Sequence, residues 1–126
     1  MHALRHVHRL VVPGGTLVDV HPTTLERVEA GGRALGVIED PEWIDVDLPN
    51  AERRLRELTG EGLFTLEAEA EFDLLQHFDT ADDLIEARRD LLEEQPELIR
   101  DIRAAAPPLV NREHYVLRRL RVNPPR

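Results

Sequence analysis

The chain has 126 residues and a mass of 14.4 kDa, with 41% hydrophobic and 33% charged residues and a formal charge of -9 at pH 7. This length suits a single domain with one modest core. The excess of acid disfavours nucleic acids and membranes as partners, because their phosphates attract basic surfaces. The absence of Cys and Ser excludes disulfides, thiolate metal sites and Cys or Ser nucleophiles. No apolar run approaches the roughly 20 residues that span a bilayer, and we expect a cytoplasmic protein.

The first 23 residues predict a helix, a sharp turn and a strand. Apolar residues recur at helical spacing over residues 3–11. Pro13 cannot continue a helix, and Gly14 and Gly15 permit the positive φ that a sharp reversal needs. Residues 16–20 (TLVDV) are rich in β-branched side chains and apolar on both faces. They therefore predict a strand that is buried inside a sheet.

The next part of the chain predicts short elements. Residues 22–33 read as a loop with room for one helical turn after the proline. Residues 34–38 and 43–48 read as two strands of a β-arm, joined by the turn sequence EDPE. A helix follows over residues 51–59, capped by the Pro-Asn pair before it and ended by the sequence GEG.

Residues 64–78 contain the clearest strand pattern. Six apolar residues alternate with five polar ones, which is the two-residue period of a strand. The acids on one face are read as solvent-exposed, or as cross-strand ion pairs with a cluster of arginines. These acids are Glu67, Glu69, Glu71 and Asp73, and the arginines are Arg118, Arg119 and Arg121.

Helices and a final strand are predicted for the rest of the chain. Thr80 and Asp83 have the spacing of a capping box at a helix start. Pro96 begins a second short helix, a position that tolerates proline. Residues 113–122 read as the last strand, followed by a frayed tail over residues 123–126.

In this order of elements the chain resembles the C-terminal half of a class I S-adenosylmethionine-dependent methyltransferase. The resemblance rests on the helix that runs into Val12-Pro13-Gly14-Gly15 and on the apolar strand at 16–20, which would be the fifth strand of that family's sheet. Residues 64–78 and 113–122 would be strands six and seven, the antiparallel pair that closes the sheet. The implied fold class is α/β, or α+β, and residues 1–126 would form one Rossmann-like half-domain.

The resemblance implies methyl transfer from S-adenosylmethionine to a small molecule. The Gly-rich cofactor loop of the family has no counterpart, because neither Gly14–Gly15 nor Gly31–Gly32 follows a buried strand and opens a helix. We therefore expect no cofactor-binding residues, and no activity unless a missing half or a partner chain completes the fold. Met1 would then lie within a larger domain.

Other readings of the whole chain remain open. An open sheet edge favours a homodimer, so the chain could instead be a non-catalytic dimerising α+β module. A small-ligand-binding α+β barrel is a third reading.

His21 is the strongest candidate for a catalytic residue. It follows the predicted strand at 16–20, and ligands of open α/β sheets sit at the carboxyl ends of strands. As a general base it could take a proton from a substrate hydroxyl or amine. The alternative is a structural histidine before Pro22.

Two further groups of residues carry weaker signals. His2, His6 and His8 lie close together, but no carboxylate has a matching spacing, so we interpret them as solvated and predict no metal site. Trp43 could line a pocket or an interface, and we favour the interface.

Overall fold

The computed structural model describes residues 8–124, which form a mixed α/β structure with an open, antiparallel, five-stranded sheet. The five strands, β1 to β5, are Thr16–Pro22, Glu26–Ala30, Arg33–Ile38, Phe64–Phe78 and Leu109–Val122. A π-helical turn, Glu42–Asp47, runs into helix α1, Leu48–Gly60. Helices α2, α3 and α4 are Ala81–Ala87, Arg89–Leu92 and Pro96–Ala104. Every helix within residues 8–124 is too short or too polar to span a bilayer.

Strand β5 is the centre of the sheet. The strand order is β1-β5-β2-β3, and β4 also pairs with β5. Beside β1, the Val122 amide donates to the Gly15 carbonyl, and β2 pairs with β5 in a register that places Arg27 opposite Arg112. The pairing of residues 64–78 with the last strand is confirmed.

The chain divides into two compact units. Unit 1 contains residues 8–21, 42–72 and 116–124 of the described chain, and unit 2 contains residues 22–41 and 73–115. The buried core of unit 1 is Leu58, Phe64, Leu120 and Val122. The buried core of unit 2 is Val28, Ile38, Phe78, Leu84, Leu92, Leu98, Ile102 and Leu109. The single-domain organisation stays a prediction.

The Pro-Gly-Gly turn delivers the chain to β1, as the sequence predicts. Gly14 has a φ of 84°, which favours glycine, and its amide donates to the Val122 carbonyl at 2.7 Å. A Cβ on Gly15 would lie 2.8 Å from the Val12 carbonyl oxygen, so this position also requires glycine. Residues 8–10 are helical, and the rest of the helix predicted before the turn lies largely outside the described residues.

β1 is confirmed as a strand, but the expectation that it is buried on both faces is wrong. Among the described strands it has β5 on one edge and no strand on the other. Leu17 packs against the unit 1 core, whereas Val18 and Val20 are 57% and 48% exposed. An apolar pattern indicates which faces of a strand could be buried. Which neighbours cover those faces is decided by the tertiary structure.

Two other predictions were wrong. The expected loop at 22–33 contains β2, whose charged residues pair with more distant arginines, a signal that a local pattern does not carry. The expected strand at 43–48 is the π-helical turn and the start of α1. Short alternating runs do not separate strand from helix, and Pro49 is tolerated in the first helical turn. The Pro-Asn pair therefore lies inside α1 and does not precede it.

The remaining elements follow the sequence closely. β4 has the predicted bounds, and α4 begins at Pro96. The Thr80 hydroxyl accepts the Asp83 amide at 3.1 Å and caps α2, while Arg88 separates α2 from α3. β5 begins four residues earlier than predicted. Asn123 is anchored, because its amide donates to the Leu63 carbonyl at 3.0 Å, which corrects the frayed tail at this position.

Candidate functional site

His21 lies near the end of β1 in unit 1, with its imidazole between two carboxylates. Its Nδ1 is 2.9 Å from Asp19 Oδ2, and its Nε2 is 2.7 Å from Glu52 Oε1 on α1. Asp19 is two residues earlier, on the same face of the strand. The His21 side chain is 15% exposed. A neutral imidazole can donate to one of the two carboxylates, and an imidazolium can donate to both.

Arg118 of β5 joins the same group. Its guanidinium reaches Glu52 at 3.0 Å and Asp19 at 3.8 Å, and on its other side it reaches Glu69 of β4 at 3.1 Å. These five residues are called the His21 cluster. Three carboxylates outnumber the one guanidinium, so the cluster carries net negative charge whether the imidazole is neutral or protonated.

Within the His21 cluster, the electrostatics favour the charged forms of Glu52 and Arg118. Partial burial works against ionisation of Glu52, but the hydrogen bonds from Arg118 and then His21 outweigh it, and the pKa of Glu52 is lowered. Burial likewise opposes the charge on Arg118, but hydrogen bonds to Glu52 and Glu69 leave the pKa of the guanidinium raised. Glu52 is therefore held as a carboxylate at neutral pH.

A cavity of about 460 Å³ lies beside the cluster within unit 1. Its lining residues are Glu52, Leu55, Arg56, Thr59, Gly60, Leu66, Glu69, Arg118 and Leu120. Three leucines supply an apolar wall, and the cluster supplies charged groups at a few points. This volume, and a largely apolar lining with a few charged groups, are typical of small-molecule sites. The excess carboxylate favours a molecule with an apolar body and a cationic or hydrogen-donating group.

The N-terminal histidines do not form a described metal site. His8 is 9% exposed, its Nε2 is 2.9 Å from the Asn123 carbonyl oxygen, and its ring meets Phe64 edge-on at 5.5 Å. The interpretation of His8 as solvated is therefore wrong. His2 and His6 lie outside the described residues. Within residues 8–124, no three His, Cys, Asp or Glu side chains are arranged so that they could hold a metal ion.

The acid face of β4 is largely paired with β5, as one of the two sequence readings predicts. Glu67 pairs with Arg119 at 3.8 Å and with Arg121 at 3.5 Å, in addition to the Glu69–Arg118 contact in the cluster. All four acids are also exposed, so the reading of this face as solvent-exposed holds together with the pairing. Trp43 belongs to the π-helical turn and not to a strand, and its role at an interface stays a prediction.

In unit 2, Asp73 of β4 is likewise paired with residues of β5. It contacts His114 at 2.7 Å and Arg112 at 3.0 Å, and these hydrogen bonds, with that of His114 the larger, lower its pKa.

Unit 2 also contains a carboxyl group, that of Glu113, whose pKa is raised and not lowered. Burial raises the pKa of Glu113, although the Tyr115 hydroxyl donates to it at 2.8 Å. Burial, and then the bond to Glu113, raises the pKa of Tyr115 to about 12. Perturbed groups of this kind occur at functional sites and in structural networks alike. The cavity beside the His21 cluster makes unit 1 the stronger candidate.

Sequence reasoning identified His21 but not its partners. Asp19 could have been found, because residues two apart share a strand face. Glu52 and Arg118 are 31 and 97 positions away from His21 in the chain, and no local pattern connects them to it. Comparisons with protein-family models, with curated proteins and with solved structures gave no match to this chain.

Proposed function

We propose that the chain is the C-terminal half of a methyltransferase-like fold and takes part in methyl transfer from S-adenosylmethionine to a small molecule. The strand arrangement of unit 1 carries the proposal. β1, entered through the Pro-Gly-Gly turn, lies beside β5, which also pairs with β4. In the resemblance these are strands five, seven and six. With β4 and β5 closing one side, further strands would join at the outer edge of β1.

The described residues do not fit S-adenosylmethionine by themselves. Gly14 and Gly15 are bonded to Val122 and lead into a strand, and Gly31 and Gly32 form the turn between β2 and β3. Neither pair presents backbone amides at the start of a helix, which is the usual site for an anionic cofactor group. Cofactor binding would therefore need a further segment, on this polypeptide or on a partner chain.

The part proposed for unit 1 is to hold the methyl acceptor. The leucine wall of the cavity would cover its apolar body, and Glu52 and Glu69 would attract an amine or hydroxyl. His21, oriented by Asp19 at Nδ1, would accept the proton that this group loses. His21 is not itself a lining residue of the cavity, and its Nε2 contacts Glu52, which is. It could act as the base only as a neutral ring with its proton on Nδ1, after Glu52 has moved away from Nε2.

The first test uses the 126-residue chain alone. Isothermal titration with S-adenosylmethionine should show no binding at micromolar concentrations. Micromolar affinity would contradict the need for a cofactor-binding half.

The second test uses the protein in its native context. The gene is tagged at its own locus, and the purified product is ultraviolet-crosslinked to labelled S-adenosylmethionine and assayed for methyl transfer to small amines. We expect crosslinking to a Gly-rich segment. His21→Gln should keep crosslinking but reduce transfer by roughly 10²-fold or more, the usual contribution of a general base. His77→Gln, an exposed residue of unit 2, is the matched control.

One observation favours the alternative function, a non-catalytic dimerising module. Val18 and Val20 are exposed side by side on β1, at the end of the strand order. If β1 pairs with a second copy, sedimentation equilibrium should show a dimer that Val18→Arg dissociates. Val46→Arg, at a similarly exposed valine of unit 1, should leave it intact.

A further inference from the structure

β3 of unit 2 is another edge strand among the described strands of the sheet, besides β1 and β4. β3 ends the strand order, and only β2 lies beside it among the described strands. The register between β2 and β3 shifts between Val28 and Glu29, so that Leu35 has no partner residue on β2. Beyond this shift, the Val37 carbonyl and the Glu39 amide are directed to the outer side of β3, since residues two apart in a strand face the same edge and both groups bond to a side chain outside the sheet.

A side-chain amide already occupies part of this edge. Gln95 Nε2 donates to the Val37 carbonyl at 2.9 Å, and Gln95 Oε1 accepts the Glu39 amide at 2.9 Å. A primary amide has the same donor and acceptor as a peptide group. One edge position of β3 thus makes the hydrogen bonds that a neighbouring strand would make.

Helix α4 runs close to β3 and forms the second wall of a groove. A Cβ placed on Gly36 would lie 2.7 Å from Leu98 Cδ1, which shows how closely the helix approaches the strand. Two adjoining sections of about 490 and 500 Å³ share Leu35 and Asp101. Together they extend from the β2–β3 turn to Pro96. The six residues of β3 span about 20 Å, enough for an extended peptide of similar length.

The groove is acidic. Its lining includes Glu39, Glu94, Glu97 and Asp101, all exposed, and Arg33 is the one basic residue among the lining residues. The contact of Asp101 with Arg100 is long, at 4.0 Å. Such a surface attracts a basic segment and repels an acidic one.

We infer that the outer edge of β3 and helix α4, called the β3 groove, bind an extended, arginine- or lysine-bearing segment of a partner protein by strand addition. Main-chain hydrogen bonds to Val37 and Glu39 supply the pairing, and the carboxylates along the groove select basic side chains. The peptide takes over the bonds that Gln95 makes to β3. The inference concerns unit 2 and does not depend on the methyltransferase proposal.

The test uses a fluorescent peptide with the sequence Arg-Val-Arg-Val-Arg-Val, acetylated and amidated at its ends, and two N-methylated versions. One version is methylated at the three Arg amides and the other at the three Val amides. In a paired strand only alternate amides face the neighbour. One version should therefore keep its affinity within about threefold, and the other should lose about tenfold or more.

Protein variants test the charge selection. Glu94→Gln, Glu97→Gln and Asp101→Asn combined should weaken peptide binding by roughly tenfold and reduce its salt dependence. The matched control combines Asp45→Asn, Glu57→Gln and Asp90→Asn, three exposed acids outside the groove with the same total charge change. The control should leave the affinity within about twofold. On binding, NMR resonances of the Val37 and Glu39 amides and of the Gln95 side chain should shift.

Three outcomes would overturn the inference. The first is the absence of saturable binding at millimolar peptide, and the second is equal binding of the two methylated peptides. The third is a dimer, seen by sedimentation of the free chain, whose NMR contacts lie at β3, because the occupant would then be a second copy of this chain.

Discussion

The two units contain similar charge groups in different settings. In unit 1, Arg118 of β5 bridges to Glu69 of β4 and to two carboxylates beside His21, and its side chain is 12% exposed. In unit 2, Arg112 of the same strand bridges to Asp73 of β4 and to Glu29, and its side chain is 31% exposed. The first group borders a cavity, and the second lies on a more open strand face. The same residue types therefore line a cavity in one unit and bridge neighbouring strands in the other.

Depth of burial should decide how much each arginine contributes to the free energy of unfolding. Arg118→Met leaves three clustered carboxylates without their guanidinium, and we expect a loss of about 2–4 kcal/mol in the free energy of unfolding of unit 1. Arg112→Met should cost clearly less than Arg118→Met, because Glu29 keeps Arg27 and Asp73 keeps His114. Urea unfolding with hydrogen exchange read separately over the two units measures both. Equal losses would remove the distinction between the units.

The pH dependence of stability should have opposite signs at two glutamates. The folded-state pKa of Glu52 lies below the ordinary 4.5, so its ionised form stabilises the fold above that pH, and this stabilisation is lost as the pH falls through the folded value. The folded-state pKa of Glu113 lies above 4.5, so its ionisation destabilises the fold as the pH rises through that higher value.

Glutamine variants separate these two effects. At pH 7, Glu52→Gln should lower the free energy of unfolding by about 1–2 kcal/mol, because it loses charge-assisted hydrogen bonds. Glu113→Gln should raise it slightly at the same pH. Both differences should shrink near pH 3.5, where the carboxyls are protonated in the unfolded chain. Urea titrations at the two pH values check the signs, and a destabilising Glu113→Gln at pH 7 would contradict the raised pKa.

The smallest expected difference in stability between the two units concerns the N-terminal caps of their helices. Thr80 caps α2 of unit 2 through its hydroxyl, and Thr80→Ala should cost about 1 kcal/mol. α1 of unit 1 begins after Asp47, whose side chain makes no capping bond, so Asp47→Ala should change stability by about 0.5 kcal/mol or less. Thermal unfolding followed by circular dichroism compares the two. A larger effect at Asp47 would show a capping role that the geometry does not contain.

Sequence patterns were sufficient where the physical cause is local. The alternation over β4, the positive φ at Gly14, the Thr80 cap and the Pro96 helix start each depend on neighbouring residues, and each is present in the fold. β2 was missed because its charged residues are stabilised by Arg88 and Arg112, far away in the chain. The helical turn before α1 was missed because an apolar alternation of six residues fits either structure.

The candidate site shows the same difference between what local sequence predicts and what depends on long-range contacts. His21 was identified by its position after an apolar strand, and Asp19 lies within reach of the same reasoning. Glu52 comes from α1 and Arg118 from β5, and the cavity between them exists only once those elements pack. The acidic groove at β3 also depends on packing, since the contacts of Gln95 and Leu98 with β3 join residues about 60 positions apart.

The sequence by itself determined the main elements, the Pro-Gly-Gly entry to β1 and the resemblance on which the proposed function depends. These follow from periodicity, backbone conformation and capping, which act over a few residues. The tertiary structure decided that β1 and β3 are the two ends of the strand order, that His21 is held between two carboxylates, and that an arginine joins them. Those facts depend on which strands pair and which helix covers them, and such long-range contacts are fixed only when the core is formed.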